Sequence, residues 1–184
     1  MVSVRTRVLV TALTLSLAGF GAWIKSEGDG PVEVRNGVEV HLPYIPTKGD
    51  VPTIGHGSTR YEDGTPVTLA DPPITRERAQ QLARALHSEE ERRFQASLPG
   101  VKLFQEEYDL YLDFVGQFGI GNWRSSSPRR HLLAGEYVKA CHALLPWRRQ
   151  NGRDCSLPQN WGPKGCKGVW TRQLERHAKC MAVQ

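Results

Sequence analysis

Between Pro31 and Leu42, valines 32, 34, 38 and 40 alternate with polar residues on either side of Asn36-Gly37. A period of two around an Asn-Gly pair predicts a β-hairpin closed by a type I′ turn. The stretch VPTIGHGSTRYEDGT then reads as a short strand, a turn and a second strand. Residues 31–70 are therefore expected to form a small β-region, closed by the loop ADPP. After Pro73 the period changes. Ala79, Leu82, Ala83 and Leu86 recur at helical spacing, with Thr75 as N-cap. A second helix is expected over FQEEYDLYLDFVGQFG, with Tyr108, Tyr111, Leu112, Val115 and Phe118 as its buried stripe. One or two more lie in SPRRHLLAGEYVKACHALLPW, interrupted at Gly135 and ended near Pro146, and GVWTRQLERHAKCMA is the last. The fold class is α+β, a small antiparallel β-region beside a larger helical lobe.

The N-terminus follows a different pattern. It is uncharged from Val8 to Ile24, with Arg5 and Arg7 ahead of it. The run sits at the short end of the roughly 17–25 residues that span a bilayer. Thr11, Thr14, Ser16, Gly19 and Gly21 weaken its partition into lipid. The leading arginines orient it N-in, C-out. A cleaved signal peptide, a permanent anchor and an anchor weak enough to leave the bilayer all fit, and no clean A-x-A site ends the run. The expected division is an N-terminal apolar helix within an anchor segment, residues 1–26, and one domain over residues 27–184.

All four cysteines, 141, 155, 166 and 180, fall late in the chain, with neither CxxC nor zinc-finger spacing. That reads as two disulfides and an oxidising compartment. Of the three possible connectivities, the one expected is Cys155–Cys166 with Cys141–Cys180. The first closes CSLPQNWGPKGC, whose Pro and Gly sustain no helix, and the second ties two helices together. The formal net charge of +5 favours a polyanionic partner without choosing one.

Most chemistry-bearing residues read as structural. His41, His87, His131, His142 and His177 are scattered, and Ser125 to Ser127 form a polar turn. No GxSxG motif is present, and Gly119 to Asn122 lacks the strand-turn-helix setting of a phosphate loop. SEEERR is a solvated helix face. Two acids stand out by position. Glu27 follows the apolar run after only Lys25 and Ser26, where partial burial suits a general acid. Asp50 lies in a Gly/Pro-defined turn of PYIPTKGDVPTIGHGST, three residues before Thr53. Two carboxyls across a cleft are what glycoside hydrolysis requires. Asp29, Glu33, Glu39, Glu62 and Asp63 compete for the second role.

Four motifs in order resemble the phage-type lysozymes, glycoside hydrolase family 24, and specifically endolysins with a signal-arrest-release N-terminus. SEG is similar to the family's Glu-Gly at the end of its first helix, and PTIGHGST to its Thr-Ile-Gly-x-Gly turn. FVGQFGIGNWRSSSPRRHLLAGEYVKAC resembles the Asn-x-Gly-x-Gly segment and the helix after it, and GVWTRQLER the closing Gly-x-x-x-Arg-Arg-x-x-Glu motif. The likeness runs from roughly Ala22 to Cys180.

The resemblance implies a lysozyme-like fold and a monomeric muramidase. It acts on peptidoglycan between N-acetylmuramic acid and N-acetylglucosamine, with inversion and no metal or cofactor. Glu27 is then the general acid, with Asp50 and Thr53 handling the water. It also implies a protein tethered to the host inner membrane through residues 8–24 and then free in the periplasm, with no nucleic-acid partner. The chain departs from the family at three places. The PVEVRNGVEV hairpin is inserted, and the family's Asp, six before the Thr, falls on Thr47. Phe118 replaces the usual Asn. His56 is read as a turn residue. A lytic transglycosylase needing only Glu27 and a non-catalytic wall-binding protein are the alternative functions.

Overall fold

The computed structural model describes residues 5–184, apart from the side chains of Ser26 and Glu27. The chain forms two compact units. One is Ser16–Arg92; the other joins the residues up to Leu15 to Arg93–Gln184.

The first unit begins with α1, Leu17–Glu27, where Ser16 caps the helix by accepting from the Gly19 N–H at 2.9 Å. Phe20 and Trp23 stack at 5.9 Å, Trp23 meets the His87 ring edge-on at 5.1 Å, and the Arg84 guanidinium lies over Phe20. The expected hairpin follows as β2, Val32–Arg35, and β3, Val38–His41. Val32 pairs with His41 and Arg35 with Val38, and Asn36 and Gly37 both take positive φ, 51° and 77°. That combination is the type I′ requirement.

A third strand, β4, Ile74–Thr75, pairs antiparallel with β3. The β-region thus reaches past the ADPP loop expected to close it. α2, Arg76–Ala96, begins immediately afterwards, and the Thr75 hydroxyl accepts from the Arg78 N–H at 3.2 Å. Ile54, Val67 and Leu82 form the small core, with Tyr61, Ile74 and Leu86 against it.

The second unit holds the large core, built on α3, Gln105–Phe118. Tyr108, Tyr111, Leu112 and Val115 are buried as their spacing predicts, and Phe118 is partly buried against the same cluster. Phe94, Tyr111 and Phe114 surround Trp123 at centroid distances of 5.4–5.8 Å. The indole N–H of Trp123 donates to the Ser97 hydroxyl at 2.8 Å, so the buried ring has no orphaned donor. Three short helices follow: α4, Ile120–Ser125; α5, Ser127–Leu133; and α6, Tyr137–His142. Gly135, at φ 71°, separates α5 from α6 where the interruption was expected. α7, Lys167–Met181, completes the unit, its Arg172 and Arg176 both on Asp113 of α3 at 2.5 Å.

Both expected disulfides are formed, Cys141–Cys180 and Cys155–Cys166. Ahead of the second loop lies an additional hairpin, β6, Arg149–Gln150, with β7, Arg153–Asp154, turned by Asn151-Gly152.

The apolar N-terminal run is not one helix. Val8–Leu9 forms β1, antiparallel to β5, Lys102–Leu103; a 3-10 turn, Val10–Ala12, follows, and α1 starts only at Leu17. Val10 and Leu13 are buried in the large core, which removes them from any continuous helical stripe. Ahead of them Arg7 makes paired hydrogen bonds of 2.8 Å to buried Glu107 and stacks over the Tyr137 ring at 3.8 Å. Hydrogen bonding to Glu107 raises the pKa of that guanidinium. No helix of the described residues is long and apolar enough to cross a membrane.

Candidate active site

α1 stops at Glu27 because Gly28 leaves the helix, at φ 78° and ψ 177°, while its N–H still closes the last turn on the Ile24 carbonyl. The backbone of Glu27 is thereby fixed at the C-terminal end of α1; its side chain lies outside the described residues' side chains. Gly30 follows at φ 61°, where a Cβ would fall 2.5 Å from the Tyr44 ring. The exit from α1 therefore runs close over Tyr44.

Tyr44 and Thr53 face each other in an antiparallel bridge, each N–H donating to the other's carbonyl at 2.8 Å. The loop between them is the turn that carries Asp50. Its backbone closes Asp50 N–H onto the Thr47 carbonyl at 3.0 Å, with Gly49 at φ 98°. The Asp50 side chain folds back in turn. It accepts from the Thr47 N–H at 3.1 Å and from the Thr47 hydroxyl. A carboxylate therefore stands beside residue 47, six positions before Thr53, where the resemblance calls for an acid and the sequence has threonine. Thr53 is buried, and its hydroxyl donates to the Val51 carbonyl at 3.1 Å.

After Thr53 the chain reverses tightly. Ile54 and Ser58 form a second bridge, with Gly55 and Gly57 at positive φ. A Cβ at Gly55 would lie 2.9 Å from the Ala79 Cβ of α2, so the turn is seated on that helix with no room for a side chain. The seating buries His56, whose pKa is pushed down chiefly by burial. His56 Nδ1 is 3.3 Å from the Gly28 carbonyl, and His41 Nδ1 is 2.9 Å from the Asp29 carbonyl. The two rings meet at 5.2 Å. These histidines brace the backbone that immediately follows Glu27.

Glu27, Asp50 and Thr53 thus belong to the same unit, at the helix end, within the Tyr44–Thr53 turn and at the end of that turn. Of the competing acids, Glu39 is paired with Arg76, Glu62 with Arg78 and Glu33 with Arg35, while Asp63 accepts from the Thr65 N–H. Asp29 stands beside His56. Sequence reasoning passed over His41 and His56 as a pair, because nothing local joins positions at the end of a strand and in a later turn. Phe118 packs on Phe114 and Trp147, at 4.7 and 5.2 Å, and serves the core of the other unit.

Residues 36–158 match the phage lysozyme family. The match contains Asp50 and Thr53 and begins after Glu27. No curated protein matches the chain. Several solved structures do match it in fold. The endolysin from Escherichia coli O157:H7 phage FAHEc1 is 22% identical, with 97% of this chain and 98% of that one covered and a TM-score of 0.70. A mutant P22 lysozyme is 23% identical, with 92% and 99% covered and a TM-score of 0.69. The active form of P1 phage endolysin Lyz is 17% identical, with 94% and 88% covered and a TM-score of 0.65. With two thirds of its length matched by the family and its fold shared along nearly all of it, the chain belongs to the phage lysozyme family.

Proposed function

We propose that this protein is an endolysin that hydrolyses the β-1,4 bond between N-acetylmuramic acid and N-acetylglucosamine in peptidoglycan and so lyses the host cell. The observation that carries the reading is the Thr47–Asp50 turn. In it the Asp50 carboxylate accepts from Thr47, six positions before Thr53, where the resemblance calls for an acid. Glu27 protonates the leaving oxygen from the end of α1. Asp50 takes the proton of a water on the opposite face of the sugar, and Thr53 orients that water. These are the roles of an inverting mechanism; inverting glycosidases hold such a carboxyl pair about 6.5–9.5 Å apart to admit the water. The net charge of +5 suits an anionic wall polymer.

The protein works as a monomer, first held at the host inner membrane by residues 8–24 and then in the periplasm, where its two disulfides form. The docking of this segment supports release without cleavage: Val10 and Leu13 are buried, and Arg7 reaches Glu107. Those contacts use residues that a cleaved signal would discard. Membrane-bound, the same residues are not available to them, and α1 cannot present Glu27 to the turn.

Mass spectrometry of fragments from purified peptidoglycan tests the reaction. Hydrolysis leaves a reducing N-acetylmuramic acid end that carries the added water. A 1,6-anhydro end would show a lytic transglycosylase, and undigested sacculi would show a wall-binding protein; either result ends the proposal.

A further inference from the structure

Asp29, His41 and His56 converge at the exit from α1. Each offers a possible ligand atom, and these atoms lie within 4.8 Å of one another. His41 and His56 are 0% and 1% exposed. Each ring directs Nδ1 at a backbone carbonyl, of Asp29 and Gly28 respectively. A carbonyl only accepts, so in each neutral ring Nδ1 carries the proton and Nε2 the lone pair. Both Nε2 atoms are buried, and neither has a hydrogen-bond partner among the described residues. Imidazoles pinned through Nδ1–H to a carbonyl, with Nε2 bare, are in the state that metal sites impose on their histidines. The Asp29 carboxylate, now 3.3 Å from His56 Nδ1, is the third member of the cluster and swings round from that position to serve as the negative ligand.

We propose that Asp29, His41 and His56 bind a divalent first-row transition cation, zinc in the first place, and that this ion clamps the residues following Glu27 to strand β3 and to the turn after Thr53. Two imidazoles and a carboxylate form a three-ligand zinc set with a fourth position left for water. Ligand atoms on a tetrahedral ion with bonds of about 2.0–2.1 Å stand about 3.3 Å apart. The set therefore has to draw together on the ion. Asp29 is the ligand able to move: its side chain is half-exposed, and glycines at positive φ flank it on both sides. The nearby Arg76 is engaged by Glu39. The ion takes no part in bond cleavage; it fixes the helix end that carries the acid. This departs from the sequence reading, which implied no metal.

The test uses the full chain, stripped with EDTA, desalted and titrated with ZnCl2 by calorimetry, with CoCl2 as the spectroscopic probe. One zinc per chain, a zinc-dependent rise in melting temperature and the visible d–d bands of low-coordinate Co2+ are expected. Asp29→Asn and His56→Gln each weaken binding by about 10- to 100-fold or more, the range lost even when only an outer-shell partner is removed. The exposed pair His142 and His177, 3.0 Å apart, is the competing site, so His142→Gln leaves the stoichiometry and the spectrum unchanged. No stoichiometric binding by the folded protein overturns the proposal. So does binding kept in Asp29→Asn or lost in His142→Gln. Circular dichroism checks each fold, and if His56→Gln does not fold, Asp29→Asn alone decides.

Discussion

Gly55→Ala should damage this protein out of proportion to one methyl group. Gly55 is buried at φ 60°, and the added Cβ falls 2.9 Å from the Ala79 Cβ and 3.4 Å from its Cα. Two penalties add. A left-handed conformation costs an L-residue about 1–2 kcal/mol. The optimum carbon–carbon contact is about 3.5–4.0 Å, so the turn or α2 has to shift, and overpacking of this kind costs about 1–3 kcal/mol. The sum is about 2–5 kcal/mol. A double-mutant cycle separates the parts. Ala79→Gly alone costs about 1 kcal/mol of helix propensity. Combined with Gly55→Ala it removes the overlap and leaves the backbone strain. The double variant should therefore be more stable than the sum of the singles by about 1–3 kcal/mol. Urea denaturation of the four proteins, followed by tryptophan fluorescence and circular dichroism, measures this. A Gly55→Ala variant within about 0.5 kcal/mol of wild type, or strict additivity in the cycle, would refute the seating of the Thr53–His56 turn on α2.

Three further outcomes are expected. Asp50→Asn should abolish most wall hydrolysis, measured by dye release from labelled sacculi, while Glu33→Gln and Glu39→Gln stay near wild type; the reverse would move the second carboxylate into the inserted hairpin. Removing Cys141–Cys180, with 39 residues of separation, should cost more than removing Cys155–Cys166, with 11. Chain entropy gives about 4 against about 3 kcal/mol, read from the denaturation midpoints of the paired Cys→Ala variants, and an inverted order would contradict the loop argument. Gly19→Leu with Gly21→Leu should hold the protein in the membrane fraction and block lysis until long after wild type is released. A Cβ at Gly21 meets nothing within 4 Å, and circular dichroism of the released protein checks that the double variant keeps its fold. Wild type found soluble and shortened at its N-terminus would instead identify a cleaved signal.

What the sequence disclosed was local. The Asn36-Gly37 hairpin, the α3 stripe and the break at Gly135 are each written within a few residues, and each appears in the structure. The Asn151-Gly152 hairpin carried the same signal and was passed over, because the polar residues around it lack alternation. The N-terminal run was misjudged as a single helix for a different reason. Its hydropathy is continuous, but its first part is extended by pairing with Lys102–Leu103, nearly a hundred residues away, and composition does not encode that partner. The site divides along the same line. Asp50 and Thr53, the proposed pair, share one short motif, and the return of the Asp50 carboxylate to Thr47 is a turn effect that spacing of three allows. The convergence of His41 and His56 on Gly28 and Asp29 depends on three segments meeting, and only the fold brings them together.

The central claim is that Glu27, at the end of α1, is the acid of a wall hydrolase. The direct measurement is the rate at which folded Glu27→Gln protein releases reducing muropeptides from purified sacculi, beside wild type at equal concentration. Gln keeps the shape and removes the proton donor, so the account predicts a fall of about 10²–10⁴-fold with an unchanged circular dichroism spectrum. Release at the wild-type rate by the folded variant would contradict it.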